Sequence, residues 1–232
     1  MNLEIERTFA VRTVRVHSVD LHSTEPWQGT FSSAARKILA EGGQPNRLTL
    51  VDNTHAQDDE GKSFKVSRNG SPVYCAKFVP NHCFAAAVDY VYINVYNCIT
   101  GSRENQFQAH EGCIRCLSVH SSDPYVLSSS DDMLIKMWNY KKDWELVRTL
   151  RGHSDAVFQV LFNPMDTETF ASASIDATVK VWTLDASDPK WTLSGHTGGV
   201  NCVDYTIGSD MRLYLITTSN DCTAKACFCY TL

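Results

Sequence analysis

The stretch "HSDAVFQVLFNPMDTETFASASIDATVKVW", residues 153–182, repeats the plan of "HEGCIRCLSVHSSDPYVLSSSDDMLIKMW", residues 110–138. Each opens on His and runs through an apolar segment to a Pro turn. A Ser-rich run then leads to an Asp and a closing x-x-x-Lys-x-Trp. His110 to His153 spans 43 residues, His153 to His196 spans 43 again, and Trp138 to Trp182 spans 44. Within each copy three short runs of β type are separated by Pro, Asp, Ser or Gly turns, as in "CIRCLSVH", "YVLSSS" and "MLIKMW".

The pattern continues both ways. Downstream, "GVNCVDY", "YLITTS" and "CTAKACF" form a third copy, with Cys227 at the Trp position. Upstream, "SPVYCAKFVPNHCFAAAVDYVYINVYN" (71–97) is a weaker copy with Tyr96 at that position, and "VRVHSVDLHSTEPW" (14–27) reads as the start of another. Strand-like units at a fixed period in the low forties mark the blades of a WD40 β-propeller. The expected fold is therefore all-β, with about five blade units near 14–64, 71–98, 110–140, 153–184 and 196–232. The first unit is degraded and the last incomplete, which gives an open or partial ring with exposed sheet edges. Residues 28–63 are irregular, too long for the period, and "AARKILAEGG" (34–43) has a helical flavour.

Composition narrows the function classes. A chain of 232 residues, 43% apolar and 20% charged, can bury a sizeable core. Its net charge of −5 argues against nucleic-acid binding, which favours a basic stripe. No apolar run approaches the length of a membrane span, and the Glu and Arg in "MNLEIERTFAVRTVRV" argue against a secretory leader. The nine Cys, mostly inside apolar runs, read as reduced, buried thiols. Cys113 and Cys116 form one CxxC near His110 and His120, but no second CxxC stands at zinc-ribbon spacing, so no metal is expected. Cys116 is expected to share a strand face with Ile114. No nucleophile elbow, metalloprotease helix or phosphate loop is present, so neither catalysis nor a cofactor is expected.

The recurring polar residues read as scaffold. Asp132, Asp176 and Asp221 each stand six residues before the Trp position, in a turn between strands. Such an Asp can accept bonds from turn amides and from the His of its unit, here His110, His153 or His196. That His can reach a strand Ser or Thr and the N–H of Trp138 or Trp182. A buried polar network is tolerated when each member is satisfied.

Several segments together resemble the N-terminal propeller of the coatomer beta-prime family of the COPI vesicle coat. They are "SVDLHSTEPW", "IRCLSVH", "PYVLSSSDDMLIKMW", "FNPMDTETFASASIDATVKVW", "GVNCVDY" and "YLITTSNDCTAK". The resemblance covers nearly the whole chain except 28–63 and the last eight residues, as in a truncated or divergent copy. It implies a non-enzymatic subunit of the cytoplasm and the peripheral Golgi membrane, acting in Golgi-to-endoplasmic-reticulum and intra-Golgi transport. It also implies partnership with other coatomer subunits and reading of C-terminal dilysine signals on membrane cargo tails. Arg15 and Arg115 match basic residues of the family's cargo face, and Asp131 matches an acidic residue that holds a cargo lysine. His17 stands where the family has Lys, Tyr74 where it has Arg, and Gly112 where it has Asp. Arg15 is then expected to pair with a carboxylate and Asp131 with a lysine, while His17 replaces Lys only when protonated. The rival readings are a general WD40 interaction scaffold, such as a ubiquitin-ligase adaptor, and a copy without function. Ligase receptors tend to carry Arg two residues after a Trp-Asp pair, whereas Trp138 and Trp182 are followed by Asn-Tyr and Thr-Leu.

Overall fold

The computed structural model describes residues 15–21, 36–42, 47–52, 62–65, 73–79, 84–97, 100–208 and 210–228. They form five antiparallel sheets in chain order. The first joins β1 (Arg15–Leu21), β2 (Arg36–Gly42), β3 (Arg47–Asp52) and β4 (Lys62–Lys65). The second joins β5 (Ala76–Val79), β6 (Phe84–Asp89), β7 (Tyr92–Asn97) and β8 (Arg103–Gln108). The third joins β9 (Ile114–Val119), β10 (Tyr125–Ser130), β11 (Ile135–Asn139) and β12 (Glu145–Leu150). The fourth joins β13 (Val157–Phe162), β14 (Thr169–Ser174), β15 (Val179–Thr183) and β16 (Trp191–Leu193). The last has three strands, β17 (Val200–Ile207), β18 (Leu213–Ser219) and β19 (Ala224–Phe228). Each first strand packs on the first strand of the next sheet, so the sheets fan out as the blades of a partial WD40 propeller.

Two expectations change. Arg36–Gly42 is a strand, not a helix, because pairing with β1 on one side and β3 on the other overrides the modest helix preference of its Ala, Lys and Leu. Two strands, β2 and β3, thus lie within the stretch that the period leaves irregular, and β4 begins at its end. Secondly, Cys116 does not share the face of Ile114. Ile114 pairs with Ser130 and Cys116 with Ser129, so a bulge at Arg115 breaks the alternation. Ile114 and Leu117 then point together toward the preceding sheet, and the Cys116 thiol turns to the carbonyl of Val160 in the next, 3.6 Å away. Similar bulges interrupt β1, β13 and β17.

The second and third sheets each have an outer strand, β8 and β12, that the sequence pattern does not separate from loop. β8 is polar except for Phe107 and only alternate residues are partly covered, while in β12 Leu146 and Val147 are exposed and only Leu150, at its end, is buried. The core lies between sheets. Leu127, Ile135, Met137 and Leu150 of the third sheet pack on Val157, Val160, Phe162, Phe170 and Trp182 of the fourth. Ala171, Ala173, Val179 and Val181 of the fourth pack on Val200, Val203 and Leu215 of the last. Hydrogen bonds run along the same joints. Leu117 N–H donates to Cys75 Sγ at 3.4 Å, and Val203 N–H donates to Gln159 Oε1 at 2.9 Å.

Candidate functional site

The Asp of each of the last three units builds the turn between the second and third strands. Met133, Ala177 and Cys222, the residues after these Asp, sit at φ 68°, 63° and 63°. Asp132 Oδ1 accepts the amide of Leu134 at 3.1 Å, Asp176 Oδ1 that of Thr178 at 3.0 Å, and Asp221 Oδ1 that of Thr223 at 2.9 Å. These bonds offset the strain of a left-handed residue bearing a side chain. The second carboxylate oxygen accepts the Nδ1–H of the unit's His at 2.8 Å, in His110–Asp132, His153–Asp176 and His196–Asp221 alike.

On its far side each His meets a strand hydroxyl: His110 Nε2 lies 2.7 Å from Ser128 Oγ, His153 Nε2 2.7 Å from Ser172 Oγ, and His196 Nε2 2.8 Å from Thr217 Oγ1. The indole N–H does not reach the His, as the sequence suggested it would. Trp138 and Trp182 donate instead to the same Ser128 and Ser172 oxygens, at 2.9 and 2.8 Å. The hydroxyl therefore donates to His and accepts from Trp. Asp, His and Ser in this order look like a nucleophilic triad, but Ser128 and Ser172 are fully buried and their acceptor site is occupied by Trp. A nucleophile needs a path for its substrate; these hydroxyls join strand to strand.

Charge follows this geometry. Burial by itself would raise the Asp132 carboxyl, but His110 and the amides of Glu111 and Leu134 outweigh it and hold the group at about 2. Asp176 reaches about 2 in the same way, with burial opposed by Thr178, His153 and Ser154. Asp221 is lowered too, first by the Thr223 hydroxyl. Burial also lowers His153, and Asp176 offsets this only in part. The Lys of x-Lys-x-Trp, visible in the sequence but given no role there, closes the same end of each sheet. Lys136 and Lys225 donate to the carbonyls of Ala109 and Gly195, both at 2.6 Å, and Lys180 to Thr192 Oγ1 at 2.9 Å.

The residues matched to a cargo face are arranged differently from a set of separate charges. Arg115, at the β9 bulge, grips Asp131 through Nε–Oδ1 at 2.7 Å and a second guanidinium nitrogen to Oδ2 at 2.6 Å. Each side chain is 29% exposed. Tyr74 and Phe158, from the sheets on either side, flank the guanidinium at 4.9 and 5.3 Å from their ring centres. The Asp131 hydrogen bond leads in raising the Arg115 pKa further, so the pair is a fixed dipole. Arg15 lies at one end of β1 and His17 at its bulge; their side chains lie outside the described residues. Gly112 abuts the other side of the Asp131–Asp132 turn, and a Cβ there would sit 2.6 Å from the Asp132 amide nitrogen.

The CxxC does not assemble a metal site. Cys113 is buried against its own strand, Cys116 turns to the next sheet, and among the described residues no three His, Cys, Asp or Glu groups converge. His120 anchors a turn that the sequence reading did not assign to it. Its Nδ1 accepts the amides of Ser122 and Asp123 at 3.2 and 2.7 Å, which leaves Nε2–H to donate to Thr167 O in the next sheet at 2.9 Å.

Comparison with known proteins agrees with this geometry. The family model for the WD domain, G-beta repeat, matches residues 97–139, 144–183 and 187–226. Each match contains strands from two neighbouring sheets, for example β8 with β9, β10 and β11. Coatomer subunit beta'-1 of Arabidopsis thaliana is 48% identical over 226 residues, 97% of this chain and 23% of the relative. Coatomer subunit beta'-1 of Oryza sativa subsp. japonica is 49% identical over 222 residues, 95% of this chain and 23% of the relative. Coatomer subunit beta' of Mus musculus is 42% identical over 217 residues, 93% of this chain and 22% of the relative. The chain thus spans less than a quarter of the length of the curated relatives it matches.

Proposed function

The chain belongs to the WD-domain, G-beta-repeat family, and from that premise we propose that it serves as a non-enzymatic scaffold component of a COPI-type vesicle coat. Identity of 42–49% across 93–97% of the chain to coatomer beta-prime subunits carries this reading. Its partners are then the other coatomer subunits. Its place is the cytoplasm and, through the coat, the Golgi membrane surface, in Golgi-to-endoplasmic-reticulum and intra-Golgi traffic. The blade units near 14–64, 71–98, 110–140, 153–184 and 196–232 act as one scaffold in this reading.

The finer part of the proposal concerns dilysine cargo tails. In this reading Arg15 pairs with a peptide carboxylate and Asp131 with a lysine ammonium, Arg115 adds a second basic group, and His17 replaces Lys only when protonated. Because Arg115 and Asp131 already neutralise each other, a lysine must share a carboxylate oxygen with the guanidinium. That sharing weakens the site relative to one with a free carboxylate. The test has two parts: recovery of coatomer subunits with the tagged chain from cytosol, and titration with a peptide ending in two lysines against its double-serine form. Recovery of the subunits supports the coat role, and lysine-dependent binding supports cargo reading. A folded chain that recovers no coatomer subunit overturns the first, and equal binding of both peptides overturns the second.

A further inference from the structure

One position recurs at the first strand of successive sheets. Cys75, Cys116, Gln159 and Cys202 occupy it, each two residues after a fully buried Val73, Ile114, Val157 or Val200. The side chain there crosses to the main chain of the next sheet. Cys75 Sγ accepts the amide of Leu117 at 3.4 Å, Cys116 Sγ donates to the carbonyl of Val160 at 3.6 Å, and Gln159 Oε1 accepts the amide of Val203 at 2.9 Å. Among the described residues, the joint between the second and third sheets is the one with a thiol on both sides. The next two joints set a thiol against the amide side chain of Gln159.

The two thiols converge in that joint. Cys75 Sγ lies 3.7 Å from the carbonyl oxygen of Leu117, and Cys116 Sγ lies 3.4 Å from the same oxygen. They also hydrogen-bond to each other, across the seam where β5 packs on β9. Cys75 is buried, Cys116 is partly covered, and both are free thiols. The other Cys of the CxxC is engaged elsewhere: Cys113 Sγ meets the carbonyl of Ile114 at 3.8 Å and the side chain of Tyr74. Two sulfurs in hydrogen-bond contact need only close to the ~2.0 Å of a disulfide.

We propose that Cys75 and Cys116 are a modification site, oxidised by peroxides to a disulfide that staples the second sheet to the third. Cys116, the more accessible residue of the two, attacks a peroxide oxygen as its thiolate. The O–O bond breaks, and the departing hydroxide takes up a proton. Cys75 sulfur then attacks the sulfenic acid left on Cys116, the S–O bond breaks, water leaves and the S–S bond forms. Two thiols give up two electrons and two protons, and hydrogen peroxide receives them as two waters. The hydrogen bond from Cys75, and burial after it, hold the Cys116 thiol well above its ordinary range, and Lys77 opposes them only in part. Thiolate is therefore scarce near neutral pH and the first step is slow, so the pair answers sustained oxidant rather than a brief pulse.

The staple falls where it changes most. All four strands of the second sheet, β5 to β8, lie between the two Cys, so the disulfide ties both ends of that stretch and restricts its unfolded forms. The second sheet also lacks bonds that the third and fourth have. Tyr96 stands in place of Trp, and Asn94, in place of Lys136 and Lys180, is fully buried with neither polar atom of its side chain hydrogen-bonded. The inference rests on the placement of the two thiols and stands apart from the coat reading.

The test is exposure of the 232-residue chain to hydrogen peroxide, then alkylation of the remaining thiols and peptide mapping without reductant. The peptides carrying Cys75 and Cys116 should appear joined, two hydrogens lighter than their sum, and should separate on treatment with a dithiol. The melting temperature should rise by about 5–10 °C on oxidation and return on reduction. Cys116→Ser should abolish that rise, and Cys202→Ser should keep it. The exposed Cys202 and Cys222 serve as the clock. If both are fully oxidised while Cys75 and Cys116 remain thiols, the proposal is overturned. A Cys113–Cys116 link overturns it too, as does sulfinic acid at Cys116 beside a reduced Cys75, or a link that forms only in the urea-unfolded chain. A joined pair that lowers the melting temperature overturns the staple.

Discussion

Arg115 and Asp131 hold each other through two parallel hydrogen bonds of 2.7 and 2.6 Å, sixteen residues apart in sequence and on adjoining elements of one sheet. The bond fixes both charges at the bulge and sets what either can offer a ligand. Since each is 29% exposed, water competes for the pair. A double-mutant cycle with Arg115→Ala and Asp131→Ala should give a coupling of about 0.5–1 kcal/mol in denaturant melts. In the dilysine titration, Asp131→Ala should remove the difference between the lysine and serine peptides, whereas Arg115→Ala should leave Asp131 free and keep it.

The linking hydroxyls differ in how much depends on them. Ser172 holds both His153 and Trp182, while Thr217 holds His196 in a unit with Cys227 at the Trp position. Ser172→Ala leaves two buried groups unpaired and should cost about 2–4 kcal/mol; Thr217→Ala leaves one, partly wet, and should cost about 1 kcal/mol. Urea melts of the two variants check the order.

Acid should unfold the protein in two stages. Burial depresses His153 below its ordinary 6.5, so the fold prefers the neutral ring. That contribution is complete above 6.5 and is lost as pH falls below it. Asp132 and Asp176 sit at about 2 against an ordinary 3.8, so their contribution is complete above 3.8 and is lost as pH falls toward 2. The melting temperature should be level from pH 8 to 7, decline gently below about 6.5 and fall steeply below about 4. Asp176→Asn should lower the neutral value and flatten the steep limb.

Gly112→Asp would place a carboxylate where the proposed dilysine reading expects an acidic residue. Its Cβ would press on the Asp132 amide nitrogen, 2.6 Å away, and on the main-chain carbon of Asp131, 3.0 Å away. The turn that carries both Asp must then shift, at a cost of about 1–3 kcal/mol. The melt of this variant against wild type gives the value, and its dilysine titration shows whether the acidic group at that position matters.

The sequence announced most of what the described residues contain where residue types recur at a fixed period. His153, Asp176 and Trp182 were visible because each has counterparts about 43 residues away. The exposed strands β8 and β12 were not: β8 is polar except for Phe107, and β12 has only a short Leu146-Val147 pair that faces solvent, so neither offers an apolar alternation to count. Arg36–Gly42 misled because local preference pointed to a helix while pairing with two neighbours decided for a strand. Arg115 and Asp131 were both singled out, yet their mutual bond depends on the bulge, and one inserted residue changes which way each side chain turns. Alternation cannot reveal an insertion of that kind until the partner strand is known.

The repeat and the sheet are out of phase by one strand, since the match over 97–139 takes β8 from one sheet and β9, β10 and β11 from the next. Each copy of the repeat thus straddles a seam, with its first strand bound into one sheet and its other strands into the next. Loss of one copy therefore unsettles two sheets at once, because it takes the outer strand from one and the inner strands from the other.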